Sequence, residues 1–391
     1  MSQFSRQPSR MDAVQTPIID VIGTLIRQTP GTISLGQGIV HYGPPPEALE
    51  AARVAAGDPA SHRYHAGAGT PALLERLAEK LRQDNGIAVG DETRVMVTAG
   101  SNMAFMHAVL AVTRPGDEVV LPVPFYFNQE MAIAMAGCRA VPVPTTTDYQ
   151  LDLTAIEAAI TPRTRAIVTI SPNNPSGAVY PSAALAAVNA LCRDRGLYHI
   201  SDEAYEYFTY GGARHASPGA FPDASGHTIS LFSLSKAFGF AGWRVGYMAY
   251  PAHLAGALMK SQDTILICPP LVTQAAAAAA LAVGRTYCDP FVQELDGVRA
   301  MVLDGLRTLG DRCVEPRSEG AFYCLLRLRA EVDPVALAER LIREFQVAVI
   351  PGTAFGIVEG AALRVAYGAL DRSTVEVGLG RLVRGLTALL P

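Results

Sequence analysis

TISLFSLSKAFGFAGWRVG, residues 228–246, joins a strand-like half to a glycine-rich aromatic half, with Lys236 at the junction. The first half is a short apolar run, which is typical of a strand buried on both faces. Lys236 is one of three lysines in the chain, and the segment after it lacks the pattern of a solvated helix face. A lysine that merely ends an edge strand is the ordinary interpretation. Burial beside hydroxyl groups would instead lower the pKa of its amine and let it form a Schiff base.

Short apolar strands alternate with helical segments around this stretch, from about residue 70 to 250. Strands are predicted at residues 95–98, 118–122, 166–170, 198–201 and 228–232, and one helix is predicted from Thr70 to the stop signal Asn85-Gly86. This alternation predicts an α/β fold with a mostly parallel sheet. From about residue 285 the pattern changes to a long helix, strands near 321–328 and 348–350, and a closing helix.

The change of pattern predicts two domains. We expect a large domain over residues 45–284 and a smaller domain formed by residues 1–44 and 285–391. The triplet Pro44-Pro45-Pro46 is the stiff, non-helical crossing between them.

Composition limits the class of partner. The chain is 49% hydrophobic and 17% charged, which is the balance of an ordered globular protein. A net charge of −4 gives no basic field for nucleic acid or an anionic membrane. The longest apolar run, residues 275–283, is too short to cross a bilayer, and the N-terminus lacks the apolar core of a signal peptide. We expect a cytoplasmic protein with small-molecule ligands and no nucleic-acid or membrane partner.

Neither the cysteines nor a glycine-containing motif near residue 70 indicates a ligand site. The six cysteines are scattered, with no C-x-x-C pair and no zinc-like spacing, so no metal site is expected. Residues 67–72, GAGTPA, match the loose dinucleotide pattern G-x-G-x-x-A, but no strand precedes them. A turn and helix cap is therefore favoured there.

Three further segments place polar side chains where predicted strands end. Residues 171–177, SPNNPSG, follow one strand, and Asp202 and Tyr205 follow the next. Gly100-Ser101-Asn102 begin a helix, where a hydroxyl and backbone N–H groups suit a phosphate. Each segment has a plainer interpretation as a turn or helix cap. Because open α/β sheets bind ligands at the carboxyl ends of their strands, their joint occurrence with Lys236 favours one shared crevice.

With these segments, the sequence resembles the fold-type I pyridoxal-phosphate enzymes, and among them the class I and II aminotransferases, over nearly its whole length. The match S-x-S-K-x-x-G-x-x-G-x-R-x-G from Ser233 to Gly246 is the most specific part of the resemblance. The resemblance implies the aminotransferase fold of type I: a mostly parallel, seven-stranded-type sheet with helices on both faces and a smaller α+β domain built from the two chain ends. It also implies pyridoxal 5′-phosphate as the cofactor.

The same resemblance assigns roles around the cofactor. Lys236 carries it as a Schiff base and, once released, moves a proton on the substrate. Asp202 keeps the pyridine nitrogen protonated, so that the ring is an electron sink. Tyr205 and Asn174 donate to the phenolic oxygen of the ring and stabilise its ionised form. The implied phosphate ligands are Gly100, Ser101, Asn102, Ser233, Ser235 and Arg244.

Two aromatic side chains complete the implied cofactor site. Tyr126, in the segment PVPFY at residues 122–126, falls where the family stacks an aromatic ring on the cofactor, and its neighbour Phe125 is the alternative. Tyr64 resembles the tyrosine that reaches the phosphate of the neighbouring subunit. This implies a homodimer with a shared active site.

The resemblance also implies a substrate site. Arg364, in the run ALRVA at residues 362–366, looks like the substrate arginine, whose planar fork suits a bidentate grip on an α-carboxylate. A structural acidic partner is the alternative for an arginine in such an apolar run. Gly38 offers its backbone N–H to the same carboxylate, and Asn174 belongs to the substrate site as well as to the cofactor site.

The implied reaction is amino-group transfer between an L-amino acid and a 2-oxo acid, with ping-pong kinetics. A lyase, cyclase or oxidase acting on an amino acid is the alternative, because the same residues serve those reactions. Residues 265–271 contain no arginine that could bind a distal carboxylate, so neutral, sulfur-containing or aromatic substrates are favoured. A different class of function, an aminotransferase-like domain that senses a ligand in a DNA-binding regulator, is disfavoured because the chain has no basic patch.

Overall fold

The computed structural model describes residues 9–391. The strands are β1 Ile33–Ser34, β2 Thr93–Thr98, β3 Glu118–Val123, β4 Arg139–Pro144, β5 Thr164–Ile170, β6 Tyr198–Asp202, β7 Thr228–Ser233, β8 Gly246–Pro251, β9 Tyr323–Leu328, β10 Val347–Ala348, β11 Ile350–Pro351 and β12 Ala361–Ala366. The helices are α1 Ile18–Gln28, α2 Pro46–Gly57, α3 Pro71–Lys80, α4 Ser101–Val112, α5 Phe127–Met135, α6 Leu153–Ala158, α7 Ser182–Arg195, α8 Leu234–Ala237, α9 Ala255–Ile265, α10 Leu271–Val283, α11 Asp289–Arg307, α12 Pro334–Phe345 and α13 Arg372–Leu389.

The central element is a seven-stranded sheet in the order β2-β8-β7-β6-β5-β3-β4. Six strands share one direction, and β8 runs against both of its neighbours. Alternate residues of β5 face opposite layers: Ala166 and Val168 join a core with residues of α4, α5 and α9, whereas Ile167 joins a core with residues of α6 and α7. The predicted mostly parallel sheet with helices on both faces is confirmed.

The five strands predicted in this sheet are all present, and each predicted end lies within two residues of the observed one. Two strands were not predicted. The edge strand β4 contains Pro142 and Pro144, which an edge tolerates but which hide the strand pattern. β8 begins at Gly246, the last residue of the glycine-rich stretch, and no element was predicted for residues 247–251.

The helix predicted from Thr70 has the expected ends. The Thr70 hydroxyl accepts a hydrogen bond from the backbone N–H of Leu73, and Pro71 occupies the first turn. The last turn, Leu81–Asn85, is π-helical, and Gly86 ends it with a left-handed φ of 71°.

Two small sheets lie outside the large one. β1 pairs with β10, and β9, β11 and β12 form a three-stranded antiparallel sheet. α1 packs on α12, β1 pairs with β10, and α13 packs on α11 and α12, so α1 and β1 lie with the C-terminal elements. Two residues before α1 instead contact α5. Arg10 donates to the Met135 carbonyl oxygen, and Gln15 donates to the Glu130 carboxylate. The domain boundaries at residues 45 and 285 stay predictions.

The longest apolar run, residues 275–283, lies in α10, where Ala276, Ala277 and Ala280 are fully buried. Their small side chains let α2 and α3 approach closely. Within residues 9–391, no helix is both long and apolar enough to cross a membrane.

Candidate active site

A cavity of about 220 Å³ opens where β5, β6 and β7 end. The sheet delivers the first polar residues, since β6 ends at Asp202 and β7 ends at Ser233. The Ser233 hydroxyl then caps α8 by accepting a hydrogen bond from the N–H of Ser235, which fixes Lys236 in the first turn. The lining consists of Ile39, Ser101, Asn102, Tyr126, Ile170, Asn174, Asp202, Ala204, Tyr205, Ser233, Ser235, Lys236, Ala241 and Arg244.

The Lys236 amine is a nucleophile with a lowered pKa. Burial, reinforced by the charges of Arg364 and Arg244, lowers the pKa of Lys236 to about 8, and Asp202 opposes the shift. Its Nζ donates to the carbonyl oxygen of Gly38 at 2.5 Å. About a tenth of this amine is therefore unprotonated at pH 7, far more than for an ordinary lysine, and able to attack a carbonyl carbon.

Asp202 is a buried carboxylate that forms no ion pair with any of the described residues, although the charge of Lys236 acts on it from a greater distance. Its oxygens accept hydrogen bonds from the Gln129 amide at 2.7 Å and from the N–H of Ala204 at 3.2 Å. Burial raises the pKa of Asp202 to about 6, and the charge of Glu203 adds to the rise. A cationic N–H group of a ligand is the partner that would stabilise this carboxylate in its ionised form.

The opposite end of the cavity is suited to an anion. Arg244 adopts a left-handed φ of 54° and lies beside the N-terminus of α4, with Nη2 at 3.4 Å from the Ala99 carbonyl oxygen. A Cβ at Gly100 would lie 2.5 Å from the same Nη2, and a Cβ at Gly246 would lie 2.7 Å from the N atom of Ser101. Only glycine permits this approach. The guanidinium, the free N–H groups of the helix and the nearby hydroxyls form a site for a phosphate.

Arg364 lies on β12, only 2% exposed. It donates from Nη1 to Asn174 Oδ1 at 2.9 Å and from Nη2 to the Gly36 carbonyl oxygen at 2.6 Å, and its Nε has no partner. In the described part of the chain, no carboxylate lies within ion-pairing distance of Arg364. The alternative of a structural acidic partner therefore finds no support, and the guanidinium can receive a ligand carboxylate.

Asn174 connects Arg364 to Tyr205. Its Nδ2 donates to the Tyr205 hydroxyl at 3.5 Å, and the same hydroxyl lies 2.7 Å from the hydroxyl of Tyr323. Burial, together with Tyr323, raises the pKa of Tyr205 well above its ordinary value, so the phenol stays protonated and can donate.

The remaining residues named from the sequence lie as follows. Tyr126 lines the cavity, and its hydroxyl accepts a hydrogen bond from Asn128 at 2.8 Å. Phe125 is outside the lining and packs against Gly356. Gly38 is at the cavity through the contact of its carbonyl with Lys236. Tyr64 is 81% exposed and lies outside the cavity of its own chain.

Gln129 and Tyr323 were missed from the sequence. Gln129 stands three residues after Tyr126, which puts both on one face of the start of α5, and this spacing could have found it. Tyr323 follows Phe322 in an apolar strand, and no local signal separates it from core. No group of three or more His, Cys, Asp or Glu side chains is placed to hold a metal ion anywhere in residues 9–391.

Residues 30–382 match the family of class I and II aminotransferases. The chain belongs to this family and is an aminotransferase, as the resemblance predicted.

Individual relatives agree with this class. The chain is similar to an aromatic aminotransferase of Arabidopsis thaliana, with 34% identity over 100% of this chain and 98% of the relative. It is also similar to an aspartate/prephenate aminotransferase of Thermus thermophilus, with 34% identity over 97% and 96%. A solved mutant of the aspartate aminotransferase of Thermus thermophilus superposes with a TM-score of 0.88 and 34% identity, over 97% of this chain and 100% of that one. The names of these relatives differ in substrate but agree in reaction class.

Proposed function

We propose that the protein is a pyridoxal-phosphate-dependent aminotransferase that moves an amino group between an L-amino acid and a 2-oxo acid and prefers neutral, sulfur-containing or aromatic side chains. One observation carries the proposal. A single cavity joins an amine of lowered pKa, Lys236, to a buried carboxylate that forms no ion pair with any described residue, Asp202, and to the anion site of Arg244. These three groups fit the aldehyde, the pyridine nitrogen and the phosphate of pyridoxal phosphate.

The cofactor contacts follow from this fit. Lys236 would hold the cofactor covalently, Asp202 would pair with its ring nitrogen, and Tyr126 would lie against the ring. Tyr205 and Asn174 would donate to its phenolic oxygen. The phosphate would be held by Gly100, Ser101, Asn102, Ser233, Ser235 and Arg244. When bound, pyridoxal phosphate supplies a ring that withdraws electrons from the substrate carbon.

The protein itself positions the substrate and moves the proton. Arg364 binds the α-carboxylate through its planar fork, with the N–H of Gly38 as a second donor. The Lys236 amine would hold a proton at its Nζ and transfer it at the α-carbon.

The substrate preference is supported by a count of charges. Two cations line the cavity, Lys236 and Arg244, and Arg364 lies next to it through its hydrogen bond to Asn174, so each of the three already has a role in the proposal. The described residues of one chain leave no further cation at the cavity for a distal carboxylate, and Ile39 adds an apolar surface. A neutral or aromatic side chain suits this lining.

We also propose a homodimer in a reducing, cytoplasmic compartment. The exposed ring of Tyr64 would reach the phosphate site of a second copy of the chain, which would complete both active sites. All six cysteines are free, which supports a reducing environment.

The test is the visible spectrum of the purified protein with added pyridoxal phosphate, compared with Lys236→Ala. The wild type should hold a visible absorption through dialysis, and Lys236→Ala should lose it together with at least about 10²-fold of turnover. Lys260→Ala, an exposed lysine, is the matched control and should behave as wild type.

Amino acids are then added one at a time. Bleaching by an amino acid and recovery with a 2-oxo acid would establish transamination and the substrate class. Release of ammonia with pyruvate would indicate a lyase, and uptake of oxygen an oxidase. If the wild type gains no visible absorption, or Lys236→Ala keeps full turnover, the proposal is wrong.

A further inference from the structure

We infer that Tyr323 is a positioning residue for Tyr205, whose hydroxyl it holds as the donor to the cofactor. This inference rests on the proposed function, because it concerns the hydrogen bond that Tyr205 would make to the phenolic oxygen of the cofactor.

The two tyrosines form a buried pair. Tyr323 is 0% exposed at the start of β9, and its hydroxyl oxygen lies 2.7 Å from that of Tyr205. The rings meet edge to face, with centroids 5.4 Å apart and an interplanar angle of 79°. The Tyr323 hydroxyl is therefore shielded from water, and the Tyr205 hydroxyl is its hydrogen-bond partner.

Its position is fixed on two sides. β9 pairs with β12 so that Tyr323 lies opposite Ala366 and Leu325 lies opposite Arg364, which places Tyr323 and Arg364 diagonally on one face of the sheet. The Arg364 guanidinium carbon lies 4.7 Å from the centre of the Tyr323 ring. On the other side, a Cβ at Gly38 would lie 2.6 Å from the Tyr323 hydroxyl oxygen. The Tyr323 side chain is thus packed between Arg364 and Gly38 with its hydroxyl beside that of Tyr205.

The available donors and acceptors determine which of the two tyrosines donates to the other. A phenol has one O–H to donate. If Tyr205 donates its proton to the cofactor, the bond between the tyrosines can form only with Tyr323 as donor. Among the described residues, Tyr323 has no other hydroxyl or carbonyl acceptor within hydrogen-bonding distance. The chain of donation then runs from Tyr323 to Tyr205 to the cofactor.

Such a chain strengthens its last bond, because each donation polarises the next O–H group. Tyr323→Phe removes only the hydroxyl and leaves the ring against Arg364. Tyr205 then becomes a weaker donor and stabilises the ionised phenolic oxygen less. With the cofactor bound, the proton at the Lys236 nitrogen would then be held more tightly, so the pH at which the visible spectrum is halfway through its change should rise.

The experiment is a pH titration of the visible spectrum of the loaded protein. A neutral hydrogen bond of about 0.5–1.5 kcal/mol corresponds to a shift of about 0.4 to 1 pH unit. We expect Tyr323→Phe to raise the midpoint by an amount in this range. Tyr210→Phe is the matched control, since Tyr210 is a buried tyrosine whose hydroxyl has no partner, and its midpoint should equal that of wild type.

A second arm separates positioning from mere packing. In a Tyr205→Phe background, adding Tyr323→Phe should produce no further shift, because the effect passes through the Tyr205 hydroxyl. The dissociation constant of a non-reactive carboxylic acid should stay at the wild-type value in Tyr323→Phe, because Arg364 keeps its contacts.

Two results would overturn the inference: an unchanged midpoint in Tyr323→Phe, or a full shift that persists without the Tyr205 hydroxyl. Both differ from failure of the proposed function, in which the wild type itself would show no visible absorption to titrate.

Discussion

Arg364 gives a direct test of the substrate site, because its guanidinium is buried without a carboxylate. Two of its N–H groups donate to the neutral oxygens of Asn174 and Gly36, and its Nε has no partner. A buried charge is costly unless it is paired. Arg364→Lys keeps the positive charge and removes the planar fork, so it isolates the bidentate contribution.

The magnitude follows from the number of bonds. A guanidinium can give a carboxylate two parallel N–H donors, whereas an ammonium at the same place is a point charge without the fork. Loss of one hydrogen bond to a charged group costs about 1.5–3 kcal/mol. The dissociation constant for a carboxylate ligand should therefore rise about 10- to 150-fold.

The assay uses two non-reactive ligands that differ only in charge, phenylpropanoate and phenylpropanamide, with binding followed by the visible spectrum of the loaded protein. Arg364→Lys should weaken the acid by the stated factor and leave the amide unchanged. Arg340→Lys, an exposed arginine paired with Glu344 on α12, should change neither. Equal weakening of acid and amide, or unweakened binding of the acid, would refute the assignment of Arg364 to the carboxylate.

Two further predictions concern stability. Lys80 and Glu206 form a buried ion pair at 2.5 Å, with side chains 7% and 9% exposed, so Lys80→Met should lower the free energy of unfolding by about 3–5 kcal/mol. Arg343→Met, in an exposed pair with Glu339, should cost no more than about 0.5 kcal/mol. Denaturant unfolding measures both, and equal shifts would contradict the reasoning. Hydrogen bonds from Thr161, Arg139 and Arg163 lower the pKa of Glu118 from 4.5 to about 2. Its contribution to stability is therefore present above pH 4.5 and is lost as the pH falls through about 2. Acid unfolding should be less steep in Glu118→Gln, and parallel acid curves for the two proteins would show that Glu118 has no such effect.

The large sheet could be predicted because its central strands are covered on both faces. β5, β6 and β7 are short buried strands with a polar residue at or directly after their last position, and burial on both faces makes their central residues a continuous pattern. β4 and β8 were not predicted, for local reasons. β4 contains prolines, and β8 is preceded by a glycine-rich stretch. The direction of β8 also depends on pairing with β2 and β7, which no local pattern contains.

The residues of the candidate site likewise include some that the sequence predicts and some that only the structure shows. Asp202 is the last residue of β6 and Lys236 stands three residues after the end of β7, so sequence and topology together bring them to one edge of the sheet. Gln129 reaches Asp202 across 73 residues, and Tyr323 reaches Tyr205 across 118. Contacts of this kind depend on the docking of a helix or a second sheet, and only the folded structure shows them.

The substrate end of the site is built from still more distant segments. Arg364 bonds to Gly36 across 328 residues, and Ile39 enters the cavity from the same N-terminal segment. Tyr42 anchors that segment, because its hydroxyl donates to the Lys236 carbonyl oxygen at 3.1 Å and its ring stacks on Phe291. The cofactor end is thus tied to the strand ends of one sheet, while the segment nearest the substrate is held by a few side chains. In the proposed function, a substitution at Ile39 should alter the choice of amino acid, because Ile39 lines the cavity, whereas Gly38 and Tyr42 also contact Lys236.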